Sequence, residues 1–339
     1  MESLKVGLIG LGRGGLLLAD ALLASSWCEL FAVASHQPHR LEKFSAAHPD
    51  IATFDDYRSL IVKNPLDALF VAVPAYLRPS YLALAAERRL PVWMLAPAAR
   101  RLDEAVAWMA MFEPQNVPLV VSRSWHIEPA LQAETVDLES AGRVFLARGH
   151  VMSCIGEELD WRGDAQKAGG GVLLDRGYPL IDLLVQMMGL PATAYAAAAG
   201  VSLPGGRLPY DTDDTAAVIF QYTTGAIAQI SACWTAGPEE SVLELYGTTG
   251  SLRVDDRQVA LRDRTQGQVI HTQERAPNPL LPQVEDFLSG VRTSPRRLRG
   301  TLRQHLPTLA AIQAAYLSSR TRQPEQPGGL LDLHQIPTR

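Results

Sequence analysis

The first 122 residues alternate short apolar runs with amphipathic stretches. Runs at 4–9, 28–34, 67–73, 91–95 and 117–121 have the length of buried strands. Between them, apolar positions recur at helical spacing over 15–25, 38–48, 55–62, 76–89 and 102–113. Pro38 suits a first helical position, and Asp103 can cap the helix carrying Ala105, Val106 and Met109. Strict alternation of this kind predicts a parallel sheet covered by helices on both faces. After Ser122 the pattern changes. A helix is expected at 128–139 and a strand at 143–151, and Gly169-Gly170-Gly171 opens a helical stretch reaching about Met188. β-type runs follow at 192–202, 214–223, 226–234, 241–247 and 251–255, punctuated by Gly225, Gly247 and Gly250. Two helical segments, 281–292 and 301–320, precede a Pro- and Gly-rich tail from Gln323 that is expected to be loosely held. The chain therefore divides into an α/β domain over 1–122 and an α+β domain over 123–339, with no long linker between them.

Composition narrows the function. A length of 339 residues suits about two domains. With 47% apolar and 20% charged residues, disorder is excluded. A net charge of −5 gives no basic footprint for nucleic acid. Cys28, Cys154 and Cys233 are odd in number and far apart, so neither a disulfide framework nor a zinc site is indicated, and a reducing cytoplasm is the simplest compartment. No signal peptide precedes the first strand and no apolar run is long enough for a membrane span. Of the 31 basic residues only Lys5, Lys43, Lys63 and Lys167 are lysines, which limits the choice of a catalytic amine.

The first strand runs into Gly10-Leu11-Gly12-Arg13-Gly14-Gly15, a G-x-G-x-x-G pattern at the start of a βαβ unit. Gly10 permits the tight turn, Gly12 lets the backbone approach a pyrophosphate, and Gly15 lets helix and sheet pack closely. The helix N-terminus that follows favours an anion. This is the pattern of a Rossmann dinucleotide site. An acidic residue ending the second strand would hold an NAD ribose, but here that strand ends in Ser35-His36 with Arg40 nearby. A small hydroxyl with basic neighbours suits a 2′-phosphate, so NADP is favoured, with NAD as the alternative. His36 and His39 lack a third ligand, and no metal is expected.

Longer patterns carry a more specific resemblance. They are Asp67-Ala68-Leu69-Phe70-Val71-Ala72-Val73-Pro74 followed by Arg78, and Trp161-Arg162-Gly163-Asp164 leading into Gly169-Gly170-Gly171-Val172-Leu173-Leu174-Asp175-Arg176-Gly177. Asp214-Thr215-Ala216-Ala217, Trp234-Thr235 and Tyr246-Gly247-Thr248-Thr249-Gly250 complete the set. In this order they resemble the glucose–fructose oxidoreductase / inositol dehydrogenase / rhizopine catabolism (Gfo/Idh/MocA) family across nearly the whole chain. The resemblance implies a Rossmann domain followed by an α+β domain with a large open, mostly antiparallel sheet. That sheet often forms a homodimer or homotetramer interface. It also implies hydride transfer between NAD(P) and a sugar or cyclitol hydroxyl, and a cofactor contact from Val73, Pro74, Arg78 and Leu95.

The family's catalytic set is a lysine in Glu-Lys-Pro and the Asp and His of D-x-G-x-H. Here Leu95-Ala96-Pro97 replaces the first motif, so the lysine is Ala96. In Asp175-Arg176-Gly177-Tyr178-Pro179 the aspartate stays but the histidine is Pro179. A substrate-side arginine is matched by His126. Neither Ala96 nor Pro179 can move a proton, so the chemistry is either rebuilt or lost. Asp175 and Tyr178 are the candidates for rebuilding it, with packing as the alternative for Tyr178. His126, Arg162 and Asp182 are candidates for a small-molecule substrate, with a structural hydrogen bond as the alternative for Asp182. Asp175, Pro179 and Asp182 are spaced to share a helix face lining the pocket. Pro179 cannot donate to residue 175, so a helix must start near Tyr178 or kink there. Ala96–Pro97 is expected to hold a loop in which a cis peptide is tolerated. Two functions stay open: an NAD(P)-linked oxidoreductase with altered catalytic residues on a sugar-like or carbonyl compound, and a catalytically inactive NAD(P)-binding or interaction protein. Apolar residues on both phases of the later strands (Ala216, Val218 and Phe220 against Ala217 and Ile219) predict self-association through that sheet.

Overall fold

The computed structural model describes residues 3–123, 141–155, 159–200, 210–255, 257–265, 267–274, 278–293 and 298–337. The chain forms two compact units. One comprises Met1–Ala99, Asp103–Ser122 and Asn278–His305, and the other Arg100–Leu102, Arg123–Pro277 and Leu306–Arg339. A single cut after residue 122 thus misassigns Asn278–His305, which rejoins the N-terminal unit. The helix Leu281–Thr293 buries Val284, Phe287 and Leu288, one face at helical spacing. Phe287 meets Phe70 edge-on at 5.5 Å between ring centroids. Asn278 Nδ2 donates to Leu17 O at 3.2 Å, and Arg303 forms an ion pair with Glu113 at 2.6 Å.

The first unit holds six strands: β1 (Leu4–Ile9), β2 (Cys28–Ala34), β3 (Ala52–Phe54), β4 (Ala68–Val71), β5 (Val92–Met94) and β6 (Leu119–Val121). Their order is β3-β2-β1-β4-β5-β6, and every pairing is parallel. The interleaved helices are α1 (Arg13–Ala24), α2 (Pro38–Ala47), α3 (Tyr57–Lys63), α4 (Arg78–Glu87) and α5 (Leu102–Phe112). The strand order reverses at β1. In sheets of this kind a ligand crevice opens outside the carboxyl ends of the strands at that reversal. Leu8, Phe70 and Trp93 are fully buried on the strands, which explains their continuous apolar runs.

The second unit is built on an eight-stranded sheet. Its strands are β7 (Val144–Cys154), β8 (Thr193–Ala199), β9 (Thr215–Gln221), β10 (Ile227–Cys233), β11 (Thr235–Gly247), β12 (Gly250–Asp255), β13 (Gln258–Asp263) and β14 (Val269–Glu274), in the order β14-β13-β12-β11-β7-β10-β9-β8. Only β7 and β10 run parallel; the other pairings are antiparallel. On β9, Ala216, Val218 and Phe220 are buried while Ala217 and Ile219 are exposed, the alternation of a strand with one covered face. The helix expected at 128–139 lies outside the described residues.

Two expectations are corrected here. The tail from Gln323 is held in place: Glu325 exchanges backbone hydrogen bonds with Ala194 at 2.8 and 2.9 Å, Pro327–Leu333 is helical, and Leu331 and Ile336 are buried. Asp175, Pro179 and Asp182 do not share one helix. A single turn, Val172–Asp175, ends before Gly177, and a second helix, Tyr178–Met188, starts with Pro179 in its first turn. The proline sets that restart, since its missing N–H costs nothing there. Among the described residues no helix is long and apolar enough to cross a membrane.

Candidate functional site

In the first unit the glycine loop shows which glycines the protein needs for itself. Gly10 has φ +104°, and a Cβ there would stand 2.5 Å from Ala72 O and 2.8 Å from Val73 Cγ1. At Gly15 a Cβ would stand 2.1 Å from Gly10 O. Both positions are closed to any side chain. Gly12 differs. Its φ of −70° is open to every residue, and a Cβ would meet only Arg40 Nη1, at 3.4 Å. The loop runs directly into α1, a helix of 12 residues whose N-cap, Gly12, offers no side-chain acceptor and whose first turn holds no acidic residue. The opening N–H groups of a helix lack internal partners, and its dipole places about half a positive charge there.

Two other expected cofactor residues, Leu95 and Arg40, meet this loop. A Cβ at Gly14 would lie 2.8 Å from Leu95 Cδ1, so the Leu95 side chain packs against the loop. Arg40 reaches back from α2, its Nη1 3.5 Å from Leu11 O. Ser35 is buried and its Oγ accepts from Gln37 N at 3.3 Å, while His36 and Arg13 are exposed. Pro74 leads a tight turn, Ala75–Leu77.

Arg78 links two loops of the first unit. It is 2% exposed, and its guanidinium donates to Val73 O at 3.1 Å and Pro97 O at 2.7 Å. It therefore ties the loop after β4 to the loop after β5. The second loop contains a cis Ala96–Pro97 peptide. Ser122, fully buried, holds its other side by accepting from Ala96 N at 2.7 Å. Sequence reasoning passed over Ser122, whose one signal was its place at the end of β6.

In the second unit the structure joins two candidates taken from separate motifs. Arg162 Nε donates to Asp175 Oδ2 at 3.0 Å, and Arg176 Nε lies 3.6 Å from the same oxygen. Arg162 is braced by the Trp161 ring, 4.5 Å from its guanidinium carbon, and by Thr212 Oγ1, which donates to its carbonyl at 2.9 Å. Asp175 ends a turn whose start is capped by residues missed in the sequence. Asp213 Oδ1 accepts from Gly171 N at 2.7 Å and Oδ2 from Leu173 N at 3.2 Å. Tyr316 OH donates to Asp213 at 3.2 Å and accepts from Leu174 N at 3.2 Å. Burial pushes the Asp213 carboxyl above the usual carboxylate range, outweighing these hydrogen bonds. Burial likewise raises the Tyr316 phenol, with Asp213 adding to the effect. Asp213 stands directly before Asp214 of a motif, and that acidic pair was the available signal.

Asp182 is enclosed by the protein. It is 1% exposed and accepts from Gln186 Nε2 at 2.6 Å and Thr308 Oγ1 at 2.8 Å, a structural role. Tyr178 is 1% exposed, so its side chain is buried. Lys167 pairs with Asp164 at 3.0 Å in a single helical turn. His126 lies outside the described residues.

Comparisons with known proteins match this architecture. The family described as "Oxidoreductase family, NAD-binding Rossmann fold" matches residues 4–123, and the "GFO/IDH/MocA C-terminal domain" matches residues 132–253. The chain is 24% identical to D-xylose 1-dehydrogenase (NADP(+)) 2 of Haloferax volcanii over 326 residues, covering 93% of this chain and 97% of that one. It is 24% identical to the rhizopine catabolism protein MocA of Rhizobium meliloti over 260 residues, 74% of this chain and 78% of that one. Its fold resembles an oxidoreductase from Agrobacterium radiobacter solved with NAD+, L-tartaric acid and magnesium. There the TM-score is 0.82 at 19% identity, over 97% of this chain and all of the other. Both halves of one family match in order along the sequence, and the chain belongs to the Gfo/Idh/MocA family of NAD-binding oxidoreductases.

Proposed function

We propose that this protein is a nicotinamide-dinucleotide-linked oxidoreductase acting on a small sugar-like or carbonyl compound, with its acid–base chemistry rebuilt around Asp175. The observation that carries the reading is Gly12. The protein has room for a side chain there and yet has glycine, beside an uncapped helix N-terminus. A ligand backbone that must come close accounts for both features. The N–H groups of Gly12 to Gly15 would hold the pyrophosphate, with Val73, Pro74 and Leu95 as the apolar wall. Arg40, over the loop, supports a preference for NADP. The xylose dehydrogenase relative is named for NADP(+), whereas the Agrobacterium protein holds NAD+.

When bound, the nicotinamide exchanges a hydride with the substrate carbon. The chain's own task is the proton. Ala96 and Pro179, at the positions of the family lysine and histidine, can neither give nor take one. Loss of a positioned acid or base costs about 10²- to 10⁴-fold. Asp175 can accept a hydroxyl proton at a carboxylate oxygen, and Arg162 and Arg176 hold it in place.

A second reading, a cofactor-binding protein without turnover, draws on the same substitutions and on the ion pairing of Asp175. Titration with NADPH and NADH, followed by a carbonyl and polyol panel, separates the two. NADPH should bind more tightly than NADH, and Ser35→Asp should shift the preference toward NADH. Glucose, inositol and other simple polyols should not be oxidised measurably, and Ala96→Lys with Pro179→His should confer weak activity on them. Failure of both nucleotides to bind would overturn the proposal, and binding without turnover of any panel member would favour the second reading. The same proposal includes self-association as a homodimer or homotetramer. On the uncovered face of the eight-stranded sheet, Tyr195 opposes Ile219 and Ile227 opposes Leu146, all four exposed.

A further inference from the structure

The arginines beside Asp175 have more donor capacity than the protein uses. A guanidinium carries five N–H donors. Arg162 spends one, on Asp175. Arg176 makes no hydrogen bond among the described residues: its Nε is buried without a partner, 3.6 Å from Asp175, and its Nη1 lies 3.8 Å from Glu239. The enclosed Nε faces Asp175, so the donors open to a ligand are the terminal N–H groups of the two guanidiniums. Both side chains are about one-third exposed, at 33% for Arg162 and 29% for Arg176, so a small molecule can reach them.

We infer that Arg162 and Arg176 form an anion subsite for a carboxylate group on a polyhydroxy substrate, an inference that rests on the oxidoreductase reading above. Two guanidiniums against Asp175 leave a surplus of one positive charge. Glu239, 61% exposed and 3.8 Å from Arg176 Nη1, offsets part of that surplus across solvent. The subsite therefore suits a monoanion, which favours a carboxylate over a phosphate dianion. The planar fork of a guanidinium matches a carboxylate in two-point contact. The Trp161 ring holds the Arg162 fork in place before any ligand arrives.

The test is calorimetric titration of the full chain at physiological salt with matched probes: D-glucuronate against D-glucose, D-gluconate against D-glucitol, and D-glucose 6-phosphate as the phosphate arm. At least one acid should bind about tenfold or more tightly than its neutral partner. Arg176→Met and Arg162→Met should weaken that acid by about ten- to a hundredfold, and Arg176→Lys should retain part of the affinity. Circular dichroism checks that each variant folds. Equal binding of neutral partners, no binding of either acid, an unchanged affinity in folded Arg176→Met, or preference for the phosphate would each overturn the subsite. NADPH is titrated in parallel. Loss of nucleotide binding with acid binding intact would sink the oxidoreductase reading and leave the subsite standing.

Discussion

Replacing Gly12 by alanine separates folding from ligand binding, because the two uses of the loop call for different glycines. The added methyl has one neighbour, the tip of Arg40 at 3.4 Å, and the backbone there has an ordinary φ of −70°. Alanine is a poorer helix N-cap than glycine by about 0.5–1 kcal/mol. In a chain of this size that lowers the melting temperature by about 2–4 °C at most. Gly15→Ala sets the contrast: its methyl would lie 2.1 Å from a backbone carbonyl oxygen, which no side-chain motion relieves. That change should cost about 3 kcal/mol or more. Nucleotide binding should order the variants differently. In Gly12→Ala the methyl occupies the approach of the pyrophosphate, and NADPH affinity should fall at least about tenfold, equivalent to roughly 1.4 kcal/mol. Differential scanning fluorimetry reads the first quantity and fluorescence titration the second. A folded Gly12→Ala protein with unchanged NADPH affinity would refute the assignment of this loop. A Gly12→Ala protein as unstable as Gly15→Ala would refute the clearance argument.

Asp182→Ala should destabilise the protein by about 2–3 kcal/mol, measured by urea unfolding, because Thr308 loses its buried acceptor, while nucleotide affinity stays unchanged. Burial raises the Asp213 carboxyl above its ordinary 3.8 in the folded state, so native protein binds that proton more tightly. The resulting stability is complete below the ordinary value and is lost as pH rises through the native one. The stability of wild type relative to Asp213→Asn should therefore fall as pH rises above about 4, and a flat difference would remove the argument. Ile219→Glu on the uncovered sheet face should convert the assembly to monomers by light scattering at micromolar concentration, and a monomeric wild type would contradict the proposed self-association.

The parallel sheet was legible because its strands are buried on both sides and read as unbroken apolar runs. β3 was missed because Ala52–Phe54 is too short to show a period. The restart of the helix at Tyr178 could be read from Pro179, since a missing N–H acts locally. The contact between Arg162 and Asp175 could not, because it depends on how an irregular turn and a short helix fold together, and no periodicity encodes that. The amphipathic face of Leu281–Thr293 announced a helix but not which core it would join. The tail was misread from its prolines and glycines; Leu331 and Ile336 are spaced too sparsely to outweigh that composition by eye.

The pairing of Glu325 with Ala194 bears on the solubility of the whole sheet. β8 is the last strand on its side, and an outermost strand offers unpaired N–H and C=O groups to any other extended chain. The tail satisfies two of these groups with its own backbone, and Ser318 Oγ accepts a third, Ala196 N, at 3.1 Å. The final segment thus guards against strand addition by neighbouring molecules. A protein ending before Gln323 should keep its nucleotide fold yet aggregate through β8, so the last residues are a poor place to trim.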